Sequence, residues 1–103
     1  MDDPASPADR VFAWDMGCDR ADFLRLAPSL PGGDRLVVDG DRLAADLADG
    51  RRWTLALGPE RRRTIARLTV PVTPVTLTLS GFPPPAADTF VTTFLRTFQK
   101  GGG

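Results

Sequence analysis

Every extended segment of this sequence has only one strongly apolar face. Residues 11–16 alternate, with Phe12, Trp14 and Met16 on one side and Val11, Ala13 and Asp15 on the other. From Arg35 the same period puts Leu36 and Val38 inward. The Asp39, Gly40, Asp41 run then makes a tight turn, and Leu43, Ala45 and Leu47 continue the inward row. A second Asp-Gly pair, Asp49 and Gly50, leads into Trp53, Leu55 and Leu57, and Gly58 with Pro59 starts another turn. A strand over 62–70 is expected to point Ala66, Leu68 and Val70 inward. Pro71 and Pro74 suit a strand junction or an edge better than a central strand, and beyond them Val75, Leu77 and Leu79 alternate with Thr76, Thr78 and Ser80. Strands of this kind bury one side, so they form an antiparallel sheet whose other side meets water or a partner.

Twice the period changes to that of a helix. Asp19 can accept hydrogen bonds from the open amides of a helix over 20–27, whose inner side uses Phe23, Leu24 and Ala27 and which Pro28 and the Pro31–Gly32–Gly33–Asp34 run close. Near the C-terminus Phe90, Phe94 and Phe98 recur every four residues and Val91 and Leu95 widen the stripe. Pro83, Pro84 and Pro85 suit the entry of this helix, Asp88 complements its dipole, and Lys100 with Gly101 form its stop, giving a span of 86–100. Threonine is a poor helix former, at ~0.5 kcal/mol each against alanine, so the helix depends on burying its aromatic side. The stripe reads as a core-docking face.

The expected fold class is α+β, a single curved antiparallel sheet of about six strands with two helices packed on one face, in the order β-α-β-β-β-β-β-α. That order resembles the TATA-binding-protein-like β-α-β4-α arrangement and a reduced helix-grip fold, in which a long terminal helix lies across a curved sheet. Both resemblances are topological and carry no function with them. The expected organisation is a flexible arm over 1–10, one domain over 11–100 and a glycine tail over 101–103. The terminal glycines also resemble the tails of ubiquitin-like sulfur carriers, where a strand precedes the tail; here a helix does.

Thirteen basic and thirteen acidic side chains cancel, so no global field gathers a polyanion or an acidic membrane. No apolar run approaches the ~20 residues that span a bilayer, and the start is acidic and proline-rich. A cytoplasmic location is expected, in keeping with a single cysteine.

There is no histidine and no tyrosine, which removes the commonest general base and every Ser-His or Cys-His arrangement. Cys18 stands where a helix begins, a position that lowers a thiol pKa, but Asp19 and Asp22 oppose that shift. Asp34, Asp39, Asp41, Asp46 and Asp49 lack the spacing of a calcium loop. The reading is a non-enzymatic protein with no cofactor and no metal.

Arginine is the distinctive group. Arg51 and Arg52 begin one strand and Arg61, Arg62 and Arg63 its neighbour, with Arg67 further along. If those strands pair as a hairpin, Arg52, Arg61, Arg63 and Arg67 share the uncovered side with Thr54, Thr76 and Thr78. Phe12, Trp14 and Trp53 fall on the inward phase, where they cannot stack exposed bases. Val37 and Ile65 on the open side favour a protein partner or a homodimer, with Arg52, Arg61, Arg63, Arg67 and Ile65 as contact residues. One alternative is a carrier of a small apolar ligand between the C-terminal helix and the sheet, lined by Trp14, Trp53, Phe90 and Phe94. Another is weak, salt-sensitive nucleic-acid binding by the arginines.

Overall fold

Alternating apolar residues build six strands in the computed structural model, which describes residues 9–99. In chain order the elements are β1 (Arg10–Met16), α1 (Arg20–Leu26), β2 (Val37–Asp39), β3 (Arg42–Asp46), β4 (Arg52–Leu57), β5 (Arg61–Ile65), β6 (Leu68–Ser80) and α2 (Pro84–Thr97). Two short 3-10 turns, Ala27–Ser29 and Gly33–Arg35, lie between α1 and β2. The strand and helix order is the expected one. Every pairing is antiparallel, and the strands lie in the order β1-β6-β4-β3-β2, with β5 pairing to β6 beyond the end of β4.

The inward rows meet the helices in one core. Trp53, Phe23, Phe94, Leu43, Leu55, Leu77 and Leu79 are fully buried. Two aromatic contacts tie the sheet to α2, Trp14 to Phe94 at 5.5 Å between ring centroids and Trp53 to Phe90 at 5.9 Å, and Phe23 to Phe98 at 5.0 Å ties α1 to the end of α2. The Trp53 indole N–H donates to the Pro31 carbonyl at 2.9 Å, so the largest buried ring leaves no donor unpaired. Helix α1 starts with a capping box: the Asp22 amide donates to the Asp19 carboxylate and the Asp19 amide to that of Asp22. The Pro31–Gly33 turn is also structural. A Cβ on Gly33 would stand 2.0 Å from the Pro28 carbonyl oxygen.

Helix α2 starts at Pro84, with Pro83 as its N-cap, and its last turn closes through the Phe98 amide to the Phe94 carbonyl. Thr89 and Thr97 direct their hydroxyls to the carbonyls of Pro85 and Thr93, one turn back, which satisfies them on the outer surface. Asp88 lies beyond the first turn, and Leu95 is exposed rather than part of the docking stripe. The expected stop at Lys100 and Gly101, the glycine tail and all of the N-terminal arm up to residue 8 lie outside the described residues.

The largest departure from the sequence reading lies in 61–72. The single strand expected over 62–70 is two strands joined by a two-residue turn at Ala66 and Arg67. Ala66 has φ 56, a left-handed conformation that usually signals itself with glycine or asparagine, so the sequence carried no turn mark here. Ala66 and Leu68 are exposed and Val70 is half-buried, not core. Strand β6 then runs through both prolines and is an interior strand, with β1 on one side and β4 on the other.

Hydrogen-bond direction explains why the prolines are tolerated. The Pro74 carbonyl accepts the Gly58 amide at 2.7 Å, so its missing N–H faces the same side, past the end of β4, where the ladder stops. Pro71 is three positions earlier and therefore turns its missing N–H to the opposite side, past the end of β1, where no strand pairs with it. Val38 is a smaller correction. In the short edge strand β2 both Val37 and Val38 are exposed, because β3 pairs β2 on one side and no described strand pairs the other.

Candidate functional site

Register divides the sheet into two unlike faces. Core residues Thr73, Val75, Leu77 and Leu79 of β6 share a phase with Trp14, Trp53 and Leu43. The opposite phase carries Val11, Ala13 and Asp15 of β1, Thr76 and Thr78 of β6, Arg52, Thr54 and Ala56 of β4, and Arg42, Ala44 and Asp46 of β3. Among the described residues no helix covers that face. Its centre is alanine and threonine, and its charges stand at the margins.

The same face continues onto β5 and the first half of β6. These form a two-stranded ribbon in which Arg61 pairs with Val72, Arg63 with Val70 and Ile65 with Leu68. Directly opposed residues point the same way, so these six side chains extend the open face. Arg62, Pro71, Thr64 and Thr69 occupy the other side of the ribbon. All of β5 is exposed, and Ile65 and Leu68 are 57% and 68% exposed. The long axis of the molecule is 51 Å against 27 Å for the other two.

Of the residues singled out in the sequence, Arg61, Arg63 and Ile65 come together on β5, and Arg67 sits in the turn at the ribbon tip. The expected pairing of β4 with β5 does not occur, since both pair with β6. Arg52 therefore stands opposite Ser80 while Arg61 stands opposite Val72, about 26 Å apart along β6 at a strand's rise. It belongs to a separate ion pair with Asp46 at 2.7 Å. Arg61 reaches Asp15 at 3.2 Å, and with Arg62, Arg63 and Val72 these two line a surface depression of about 340 Å³. Among the described residues Arg63 and Arg67 have no carboxylate partner. Asp41, Asp46 and Asp49 each meet an arginine instead of one another.

The proposed ligand-lining residues have a different setting. Trp53, Phe90 and Phe94 are buried and Trp14 half-buried; Trp14 stacks on Phe94 and Trp53 packs tilted against Phe90, so the rings meet across the helix-sheet gap. An open groove of about 350 Å³ lies on the flank of α2 instead, lined by Pro31, Leu47, Arg51, Phe82, Ala86 and Phe90 among others. Cys18 is fully buried; its thiol donates to the Phe98 carbonyl at 3.2 Å and its own carbonyl accepts the Thr73 hydroxyl at 2.6 Å. It joins the β1-α1 junction to β6 and to the end of α2.

Among the described residues no helix is long and apolar enough to cross a membrane. No family model, curated protein or solved structure matches the chain. The ribbon is the feature that sequence reasoning missed. One signal for it was present: five residues on either side of Ala66 and Arg67 form two strand-like runs of equal length, each with β-branched side chains.

Proposed function

We propose that this chain is a small cytoplasmic, non-enzymatic interaction module that binds a protein partner, or itself, through the open sheet face and its ribbon. One observation carries the reading. A face whose centre is uncharged and whose apolar end, Ile65 and Leu68, is exposed continues onto a two-stranded ribbon that none of the described residues covers. An isolated two-stranded ribbon is marginal in water, so a covering partner would stabilise it. Arg63 and Arg67 supply charge that the described residues do not neutralise.

Native mass spectra of the protein purified gently from its own cells test this. A second chain should accompany the wild type and be lost from the Arg61→Glu, Arg63→Glu double variant. Folding should survive, because both side chains are exposed and such pairs are worth about 0–1 kcal/mol. Association that survives both reversals would end the reading.

The groove beside α2 favours a second reading, carriage of a small apolar ligand, on the helix flank and not between the rings packed in the helix-sheet gap. An added mass of a few hundred daltons, or quenching of Trp53 next to Phe90, would support it. Nucleic-acid binding has less support, since Asp15 and Asp46 stand among the arginines of the open face; it requires a steep loss of affinity with salt.

A further inference from the structure

We infer that two copies of this chain join at the outer edge of β1, their β1 strands antiparallel about a two-fold axis through Ala13, so that two sheets become one. The contact lies apart from the open face and the ribbon, and it stands or falls independently of the reading above.

The backbone sets what can bind there. β1 ends the strand order, and among the described residues no strand pairs its outer side. The Pro74 carbonyl accepts from Gly58 on the β4 side, so the alternate residues Thr73, Val75, Leu77 and Leu79 turn their backbone groups to β1. Their partners Met16, Trp14, Phe12 and Arg10 answer them, which leaves the amides and carbonyls of Val11, Ala13 and Asp15 directed outward. Such a row is matched by another strand. The other two edges are guarded, β2 by its length of three residues and β5 by its arginines. β1 has seven residues, no proline, and charge only at Arg10 and Asp15.

Side chains name the occupant, because the row is its own complement. With the axis at Ala13, Val11 faces Asp15 of the copy and Ala13 faces itself, and every outward amide and carbonyl finds its match. Between them Phe12 faces Trp14 of the copy and Trp14 faces Phe12, in non-hydrogen-bonded pairs, where side chains approach most closely. Within one chain these two rings stack at 5.7 Å and are only half-buried, so the pairing joins both stacks into one patch. Arg10 then faces Met16 and Asp15 faces Val11, and no like charges are opposed. The helix layer agrees. Ala86, Thr89 and Thr93 of α2 line the groove toward Leu47 and Arg51, so helical periodicity turns Val91 and Leu95 to the opposite flank, on the β1 side where Phe94 meets Trp14. Leu95 is 38% exposed there. An edge of seven residues, about 23 Å long, makes a small contact, so the dimer is a reversible one.

Sedimentation equilibrium of the full chain tests the pairing, with far-UV spectra and melting curves to check that each variant folds. The wild type should be a reversible dimer. Ala13→Pro removes an amide that points away from β6 and spares the ladder inside the chain, so it should weaken the dimer about tenfold or more. Val11, 65% exposed, gives a reading that needs no proline. Val11→Lys meets Asp15 of the copy with opposite charge and Val11→Glu meets it with like charge, so the Glu dimer should be about tenfold weaker than the Lys dimer. Within one chain the two positions are about 13 Å apart, so that difference reports a contact between copies. A wild-type monomer, a dimer indifferent to Ala13→Pro in its folded form, or equal dissociation constants for the two Val11 variants overturns the edge pairing. The face is read separately: a chain held there is lost from the Arg61→Glu, Arg63→Glu variant and kept by Ala13→Pro, whereas a copy held at β1 behaves the opposite way.

Discussion

The two halves of β6 are one strand in two environments. From Thr73 to Ser80 it is flanked by β1 and β4 and covered by aromatic rings, and every second residue is buried. From Leu68 to Val72 it has β5 alone, and no residue is buried. Both halves are rich in valine, leucine and threonine. Composition therefore does not decide which half is core; the helices do, because α1 and α2 end their reach at the Thr73–Cys18 hydrogen bond. An apolar strand left outside a core is either a liability or a surface that something else covers.

Mutations should separate the halves by energy. In the covered half, Phe94→Ala removes the ring that packs on Trp14 and Phe98, and urea unfolding should show a loss of about 3–5 kcal/mol. A loss under ~1 kcal/mol would mean that α2 does not hold the sheet. At the boundary, Thr73→Val leaves the buried Cys18 carbonyl without its hydroxyl donor, for an expected cost of about 1–3 kcal/mol in the same assay. In the ribbon turn, Ala66→Gly relieves a left-handed alanine but frees the unfolded chain, and a net gain of about 0.5 kcal/mol should raise the melting temperature slightly. Beyond it, Leu68→Thr should change monomer stability by less than about 0.5 kcal/mol, although the residue is apolar. A cost near that of a core leucine would show the ribbon to be packed within its own chain.

The covered half was legible from sequence because two periods agree there. The two-residue alternation of Trp53, Leu55 and Leu57 and the four-residue recurrence of Phe90, Phe94 and Phe98 each demand one buried side, and only a sheet under a helix satisfies both. Asp19 also announced α1, and Asp22 completed the capping box. The ribbon was not legible because its turn uses alanine at positive φ, and because the alternation of Ala66, Leu68 and Val70 is the same whether or not a helix lies above it. The prolines misled for a related reason: their cost depends on which way the absent N–H points, a property of register and not of residue type. Of the open face, the arginines were visible in the sequence, but the distance of Arg52 from the rest followed only from knowing that β4 and β5 share β6.

Hydrogen exchange, followed by mass spectrometry on the protein as isolated from its own cells and again after dilution to the monomer, shows whether a partner covers the ribbon. Exchange should be slow over 61–72 in the assembly and fast there in the monomer, with 73–80 slow in both. A ribbon that exchanges fast in the isolated assembly would contradict the proposed cover, because the exposed half of β6 would then have no partner over it.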